Sequence, residues 1–206
     1  MANNSILRIK IKYYHLKRFF DIFFSFLLLI LLMPIMAITF LIIFVGLGEW
    51  PIFIHIRPGY KTKDFPMIKF KTMKSYNPKR YSTEESRITS ISRLIRKLRI
   101  DETPQLLNIL RNEMSFVGPR PLLKKYLKVY KQEYFRRHDV LPGVTGLAQI
   151  SGSEKLPFDK RIEFDLKYID NNCFKNDFFI LIYTVIYVIK ISFTVTNQDS
   201  LPKFPN

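Results

Sequence analysis

A chain of 206 residues that is 48% hydrophobic can bury one sizeable core, and this composition argues against a disordered protein. Its formal net charge of +16 calls for an anionic partner, which leaves nucleic acid, an anionic membrane surface and phosphorylated small molecules as alternatives. The single cysteine excludes an internal disulfide, and three histidines without metal-ligand spacing argue against a structural zinc site.

The N-terminal part of the chain contains an apolar segment, Ile22–Gly48, that carries no charged residue. As a helix this segment measures about 40 Å, which is more than the roughly 30 Å hydrocarbon core of a bilayer requires. The segment is too long for the core of a signal peptide, and no cleavage site of small residues follows it. We therefore expect residues 1–48 to form a basic N-terminus and a membrane-embedded helix.

Basic residues flank the apolar segment on both sides, and Pro34 lies near its middle. Positively charged flanks tend to stay cytoplasmic, and a proline removes one backbone hydrogen bond from a helix. Together these features favour a re-entrant helix that breaks at Pro34 and leaves the membrane on the face where it entered. A Pro-kinked helix that spans the membrane is the alternative, because membranes tolerate such kinks. The basic flanks comprise Arg8, Lys10, Lys12, Lys17 and Arg18 on one side and Arg57, Lys61, Lys63, Lys69 and Lys71 on the other.

One acidic residue, Asp21, stands at the start of the apolar segment, one helical turn after Lys17 and Arg18. A helical ion pair at this spacing would stabilise the charge of Asp21 at the membrane interface. An unpaired acid inside the membrane would instead indicate a functional site. We predict the structural ion pair between Asp21 and Lys17 or Arg18.

The region after the membrane helix reads as short extended pieces followed by a helix. Lys69 and Lys71 alternate with apolar residues within 65–73, so a strand would show both lysines on one face. Residues 88–99 have apolar residues at helical spacing, surrounded by basic residues that include Arg96. Basic residues around an apolar stripe usually face solvent, unless a phosphate site lies nearby.

The next feature is an acidic dyad, Asp101-Glu102, before an expected helix start with Thr103 as N-cap and Pro104 as the first helical residue. Acids at this place often only interact favourably with the helix dipole. The functional alternative is a phosphate site, because helix N-termini also bind phosphate oxygens. One carboxylate could then attack phosphorus, and its neighbour could hold Mg²⁺. The residues alone leave both interpretations open.

Two later segments carry candidate substrate contacts. Arg120 lies between two prolines on stiff backbone, which suits a guanidinium that recognises phosphate. Residues 141–149 form a turn-rich loop that includes Thr145 and Gln149, although such a loop can be purely structural.

The C-terminal region holds a second uncharged run, Phe178–Ile189, which is short for a membrane span and favours a core or interfacial helix. A second span remains the alternative if Lys190 extends its charge to the membrane surface.

In their order along the chain, these motifs resemble the small monotopic phosphoglycosyl transferases, also called bacterial sugar transferases. Each motif is weak alone, but the order is specific, and the likeness extends from about residue 17 to residue 177. The motifs that carry it are Lys17-Arg18 with Asp21, Arg57-Pro58-Gly59, residues 69–73, Arg96, Asp101-Glu102 with Pro104-Gln105-Leu106, residues 114–122, residues 142–146, and Glu163 with Asp165 and Tyr168.

The resemblance implies a predominantly helical α+β fold for a monotopic membrane protein, with a re-entrant helix broken at Pro34 and interfacial amphipathic helices. Residues 49–196 would form a catalytic domain on the cytoplasmic face of the bacterial inner membrane. Residues 197–206 would form a C-terminal tail. The oligomeric state stays open, with a homodimer as one option.

The resemblance also implies a reaction at the start of bacterial glycoconjugate synthesis: transfer of a sugar-1-phosphate from a UDP-sugar to polyprenyl phosphate, with release of UMP. In this ping-pong scheme, Asp101 would attack the sugar-bearing phosphorus and carry the phosphosugar until polyprenyl phosphate takes it. Asp101 and Glu102 would hold Mg²⁺, and Glu102 could instead accept a proton. Lys69, Arg96 and Arg120 would neutralise phosphate charge.

The chain departs from the usual family pattern at three places. Met33 stands where a serine is common before the proline, and His55 stands where a glutamine is usual. Ser153 and Glu154 occupy the positions of an arginine and an asparagine in a substrate loop. The last departure removes a positive charge and adds a negative one, so it bears on contacts to the nucleotide-sugar rather than on the reaction type.

Two other functional classes compete with the transferase. A non-catalytic basic membrane protein that binds anionic lipid or polysaccharide fits the composition but does not explain Asp101-Glu102 beside an arginine-bearing helix. A nucleic-acid-binding protein is opposed by the apolar segment and by the lack of a known binding motif. We therefore expect membrane lipids, and no nucleic acid, among the partners.

Overall fold

The structure, a computed structural model, describes residues 2–77, 83, 85–152 and 156–193, with the backbone alone for residues 2–11, 85 and 191–193. The departures at Ser153 and Glu154 and the expected tail 197–206 lie outside the described residues. Helices dominate the described part, together with two small sheets, which confirms the mostly helical α+β fold. The helices are α1 (Ala2–Leu47), α2 (Ser90–Lys97), α3 (Gln105–Leu110), α4 (Leu147–Ile150), α5 (Phe158–Asp170) and α6 (Phe174–Phe193), and the strands are β1 (Ile52–Pro58), β2 (Asp64–Phe70), β3 (Ser115–Val117) and β4 (Gly143–Thr145).

The apolar segment forms most of α1, which runs through Pro34 as one helical element. Within the described residues it is the one helix long and apolar enough to cross a membrane, and only 11% of its most apolar window is buried inside the protein. Exposed apolar surface of this size needs a cover other than water, so the helix is compatible with membrane association. The break at Pro34 is not confirmed and stays a prediction.

Both halves of α1 pack against the same globular body. Leu28, Leu29 and Leu32, which precede Pro34, pack against a cluster formed by β2, α3 and the start of β3. After Pro34, residues 36–47 pack around a second cluster in which Ile43 meets β2 and α2. The members of the two clusters from the body are Phe65, Met67, Leu106, Ile109 and Met114 for the first, and Phe70 and Ile95 for the second.

Two basic side chains in the first half of α1 bind this helix to the body. Lys17 Nζ lies 2.5 Å from Asp177 Oδ2 and donates to the Val117 carbonyl at 2.9 Å. Arg18 donates to the carbonyls of Ile109 and Leu110, which belong to the C-terminal turn of α3.

The direct hydrogen-bond partners of Lys17 and Arg18 lie on other elements, although the charges of both residues still act favourably on Asp21. The carboxylate of Asp21 accepts a hydrogen bond from the backbone N–H of Phe116 at 3.2 Å. Lys17, Arg18 and Asp21 therefore each bind a group on another element. The body that packs against α1 contains carbonyl, N–H and carboxylate groups that would be buried without a partner if α1 did not supply one.

Strands β1 and β2 form an antiparallel pair in which Ile54 lies opposite Ile68. The expected strand is confirmed up to Phe70. Lys69 lies within β2, whereas Lys71 follows its end and pairs with Glu49 rather than with the partner of Lys69. The two lysines therefore do not act on one site.

The helix expected near residues 88–99 is confirmed as α2. Its N-cap is Thr89, whose hydroxyl oxygen accepts a hydrogen bond from the Ser92 N–H. The helix ends before Arg99, which adopts the left-handed conformation with φ of 58°. This reversal turns the chain into a short 3-10 turn, Ile100–Glu102.

The turn-rich loop 141–149 contains a parallel strand pair and a short helix. Strand β4 pairs with β3, with Ser115 opposite Gly143. A Cβ on Gly143 would lie 2.1 Å from the Gly118 nitrogen, so only glycine allows this approach. The loop thus has a structural role in addition to any role in substrate binding.

The two C-terminal helices complete the body. The buried residues of α5 recur at helical spacing and form one face of the helix. Helix α6 buries Ile180 but exposes many large apolar side chains, which is typical of a helix at a membrane interface. This arrangement agrees with the predicted core or interfacial helix, and α6 is not among the described helices long and apolar enough to cross a membrane.

Candidate active site

The acidic dyad lies in the 3-10 turn Ile100–Glu102 and not in the first turn of an α-helix. Thr103 has helical backbone angles, and its hydroxyl donates to the Ile100 carbonyl at 2.9 Å. The prediction that Thr103 is an N-cap is therefore wrong, because the chain is already helical at this residue. Helix α3 begins at Gln105 without a side-chain cap. The dyad still lies just before the N-terminus of α3, as the sequence predicted.

Glu102 is the centre of a cluster of positive charges. Its side chain is 8% exposed, and its Oε1 atom accepts hydrogen bonds from Lys69 Nζ at 2.7 Å and Arg120 Nη2 at 2.8 Å. Arg99 Nη1 lies 3.8 Å from the other carboxylate oxygen. Burial acts to raise the pKa of Glu102, but the charges of Arg120 and Lys69 outweigh it and hold this pKa well below its usual range. A carboxylate kept ionised in this way is a poor proton acceptor at neutral pH.

Asp101 differs from its neighbour in having a free carboxylate. The side chain is half-buried, and within the described residues no hydrogen bond or ion pair engages it. Burial and the nearby negative charge of Glu102 raise the pKa of Asp101 to about 6. An unpaired carboxylate with a raised pKa, surrounded by cations, is typical of a functional group that a substrate completes.

The backbone of Arg120 is held by a buried ion pair that sequence reasoning did not single out. Arg137 donates to the Arg120 carbonyl at 2.7 Å and pairs with Asp165 at 2.7 Å. Both partners of this pair are almost fully buried. A sequence signal existed, because Asp165 lies on the apolar face of α5, where a buried acid needs a cation.

Arg57 is a second basic residue near the dyad, although the sequence indicated it only as part of a basic flank and a family motif. It is half-buried beside Arg120, and its pKa is lowered by burial and by the charge of Arg120. Its Nη2 atom donates to His55 Nδ1 at 3.3 Å, while its Nε–H is buried and has no hydrogen-bond partner among the residues that the structure describes. Two neighbouring arginines that repel each other form a favourable place for an anion.

The structure brings together only some of the predicted site residues. Arg96 is exposed near the end of α2 and affects Asp101 only through its charge. The arginine that approaches Glu102 from this region is Arg99. Thr145 and Gln149 line the same cavity as Glu102. Their own polar contacts are local: the Thr145 hydroxyl lies 2.7 Å from that of Thr184, and the Gln149 amide donates to the Val144 carbonyl.

The oxygen atoms of the dyad fit a magnesium ion that substrate helps to bind. Within the described residues no group of three or more His, Cys, Asp or Glu side chains forms a ready metal cage. Mg²⁺ usually takes one or two carboxylates and completes its shell with phosphates and water. Asp101 and the second carboxylate oxygen of Glu102, which accept no hydrogen bond in the described part of the chain, could supply those ligands.

A sequence model of the family described as bacterial sugar transferase matches residues 12–191. The sugar transferase EpsL of Bacillus subtilis (strain 168) is 42% identical over 176 residues, which cover 84% of this chain and 87% of that protein. Similarity at this level extends over nearly the whole of both proteins.

Two longer relatives carry names that state a reaction. The undecaprenyl-phosphate glucose phosphotransferase of Komagataeibacter xylinus is 39% identical over 169 residues, covering 74% of this chain and 32% of that protein. The UDP-glucose:undecaprenyl-phosphate glucose-1-phosphate transferase of Escherichia coli (strain K12) is 36% identical over 168 residues, covering 75% and 36%. The chain thus matches about a third of each of these two proteins. With the family match over most of its length, the chain belongs to the bacterial sugar transferase family.

Proposed function

We propose that this protein transfers a sugar-1-phosphate from a UDP-sugar to polyprenyl phosphate and releases UMP, through a covalent phosphosugar on Asp101. The observation that carries the proposal is the free carboxylate of Asp101 next to Glu102, whose own charge is bound by Lys69 and Arg120. The reactions named for the longer relatives support the same donor and acceptor classes.

In the first half-reaction, a carboxylate oxygen of Asp101 attacks the sugar-bearing phosphorus. A new P–O bond forms to Asp101, and the P–O bond to UMP breaks, so that UMP leaves with the bonding electron pair. The phosphate groups carry several negative charges that would repel a carboxylate nucleophile. Lys69, Arg120 and Arg57 lie where they can offset those charges, which is the main requirement of phosphoryl transfer.

In the second half-reaction, a phosphate oxygen of polyprenyl phosphate attacks the same phosphorus. The bond to Asp101 breaks, and its carboxylate is restored, while the product is a polyprenyl diphosphate sugar. The acceptor is already ionised at neutral pH, so this step needs no general base. That fits Glu102, whose lowered pKa makes it suited to holding cations in place rather than to taking up a proton.

Asp101 and Glu102 are the residues that would hold Mg²⁺. When bound, the ion would offset the charge of the diphosphate and favour departure of UMP. The protein's own part is to keep Glu102 ionised through Lys69 and Arg120 and to keep Asp101 unpaired.

A test of this function needs the purified protein in detergent, a UDP-sugar and Mg²⁺, with no lipid acceptor. We expect UMP to appear in an amount close to that of the enzyme and then to stop, because the phosphosugar stays on Asp101. Adding polyprenyl phosphate should restart the release. UMP that forms only after the lipid is added would refute the ping-pong scheme, and absence of UMP with every common UDP-sugar would refute the transferase.

The contacts of α1 support a re-entrant path with both ends on the cytoplasmic face of the inner membrane. Lys17 and Ile43 lie about 40 Å apart along a straight helix, yet both contact the same body. A spanning helix would carry one of these residues to the opposite membrane face. The body itself carries many charged groups and cannot follow the helix through about 30 Å of hydrocarbon.

The orientation can be measured with single cysteines in a Cys173→Ser background. Lys10→Cys and Tyr60→Cys place one thiol on each side of the apolar segment Ile22–Gly48, and an impermeant thiol reagent is applied to intact cells and to inverted membranes. We expect both thiols to react only in inverted membranes. Labelling of one thiol in intact cells and the other in inverted membranes would establish a spanning helix and exclude the re-entrant path.

A further inference from the structure

A cavity of about 200 Å³ lies between the two long apolar helices and Glu102 of the acidic dyad. Helix α1 contributes Leu28 and Leu32, and α6 contributes Tyr187 and Val188. Most of the lining surface is apolar, but the polar side chains of Arg99, Glu102, Thr103, Thr145, Gln149 and Thr184 also line the cavity. We call this space the tail cavity. It connects apolar walls with charged groups of the active site.

The tail cavity is bordered by surfaces suited to lipid. On the outer sides of the same two helices, Leu31 is 67% exposed and Ile189 is 51% exposed. A molecule that moves from the membrane toward Glu102 would therefore pass between apolar side chains.

The size and chemistry of the tail cavity fit the lipid acceptor better than the nucleotide-sugar donor. An apolar cavity of about 150 Å³ can bind benzene, so this one has room for a branched five-carbon unit. The sugar and nucleotide of the donor are rich in hydroxyl and carbonyl groups, which mostly apolar walls would leave unpaired at a considerable cost. An isoprenyl unit has no polar group that would lose a hydrogen bond there, and a phosphate attached to it would lie near Arg99.

We propose that the tail cavity holds the first isoprenyl unit of the lipid acceptor and thereby aims its phosphate at the phosphosugar on Asp101. This inference rests on the proposed function, since it assigns a place to the second substrate. It makes Val188 and Leu32 specificity-determining residues for a prenyl chain. The site would therefore distinguish a prenyl phosphate from a phosphate group alone.

The test fills the tail cavity from α6. Val188→Trp places a large side chain in the lining, whereas Val185→Trp makes the same change on the same helix at a residue that is 57% exposed and outside the lining. We expect Val188→Trp to raise the KM for polyprenyl phosphate about tenfold or more through lost apolar burial. The burst of UMP without lipid should remain, and Val185→Trp should match the wild type in both assays.

A binding measurement separates the possible occupants and does not depend on turnover. In the Asp101→Asn background, a two-isoprene prenyl phosphate should bind more tightly than inorganic phosphate, and Val188→Trp should remove most of that difference. Val188→Met, a smaller change, should remove part of it and serves if the tryptophan variant does not fold.

Three outcomes would overturn the inference while leaving the proposed function intact. An unchanged acceptor KM in both Val188 variants would show that the chain lies elsewhere. Loss of the UMP burst in Val188→Trp, with normal folding, would assign the tail cavity to the donor. Equal competition by phosphatidylglycerol vesicles would assign it to an acyl chain of a membrane lipid. Absence of a UMP burst in the wild type would instead count against the proposed function itself.

Discussion

Replacing Arg120 with alanine should reduce turnover on the order of 10²-fold or more, because this guanidinium offsets charge that develops on the transferred phosphate. Its Nη2 atom already binds Glu102 at 2.8 Å, so the group is held at the dyad before substrate arrives. Arg120→Lys should rescue activity only in part, since an ammonium group keeps the charge but loses the planar fork. The measurements are the rate of UMP release and the rate of lipid-linked product formation.

A structural role for Arg120 would give a different pattern. The backbone of this residue is held through the Arg137 bond to its carbonyl, which side-chain truncation does not remove. Protein level and membrane association of Arg120→Ala should therefore stay close to wild type. Arg136→Ala provides a matched control, because Arg136 is half-exposed and pairs with Asp170 on the surface. An Arg120→Ala variant with near-normal rates would remove Arg120 from the active site.

Local patterns in the sequence were sufficient to predict several elements. An uncharged apolar run predicts α1, and apolar residues at helical spacing predict α2. The alternation around Lys69 predicts β2 up to Phe70. In each case the signal lies within a few residues of the element that it describes, which is why periodicity can detect it.

The contacts that build the active site could not be predicted in this way. Glu102 meets Lys69 across 33 positions of sequence and Arg120 across 18. Local spacing holds no information on such pairs, and the resemblance to a family was needed to group these residues. The roles of Arg99 and Arg137 were missed for the same reason. Arg99 reaches the site through its left-handed backbone, and Arg137 acts through the backbone of Arg120.

The ion pair expected for Asp21 shows how tertiary contacts override a local rule. A helical i,i+4 pair contributes only about 0.2–0.5 kcal/mol. Leaving a buried carbonyl or carboxylate without a partner costs about 1–3 kcal/mol or more. Lys17 therefore pairs with Asp177, which is 160 positions away, and Asp21 accepts from a backbone N–H of the body. The charges of Lys17 and Arg18 still act favourably on Asp21, but α1 is packed against a polar part of the protein that supplies the direct partners.

The free carboxylate of Asp101 leads to the second large expected effect. Asp101→Asn keeps the size of the side chain but removes the nucleophile, so turnover should fall on the order of 10³-fold or more, together with the UMP burst. In wild-type enzyme, intact-mass and peptide measurements after the burst should locate a sugar-phosphate adduct on the peptide that contains Asp101. Glu102→Gln should keep some activity but depend less strongly on Mg²⁺.

The pH dependence of the burst follows from the same residue. Burial and the charge of Glu102 raise the pKa of Asp101 to about 6, and only the ionised carboxylate can attack phosphorus. The burst rate should therefore rise with pH and level off above this value. A rate that falls as pH rises from 5 to 7, with donor binding saturated, would contradict Asp101 as the nucleophile.

The raised pKa of Asp101 also predicts how Asp101→Asn changes the stability of the fold. The sign of that change differs between a nucleophile and an acid that supports the structure. The folded protein binds the proton of Asp101 more tightly than the unfolded chain, so the stability that this proton provides is lost as pH rises from about 4 through about 6. At pH 7.5 the ionised group destabilises the fold, and Asp101→Asn should increase the free energy of unfolding by about 1–3 kcal/mol. At pH 5 the gain should shrink, because Asp101 is then largely neutral. Melting temperatures in detergent at the two pH values measure this difference. A variant that is inactive and also less stable at pH 7.5 would mean that Asp101 supports the turn at Ile100–Glu102 rather than the chemistry.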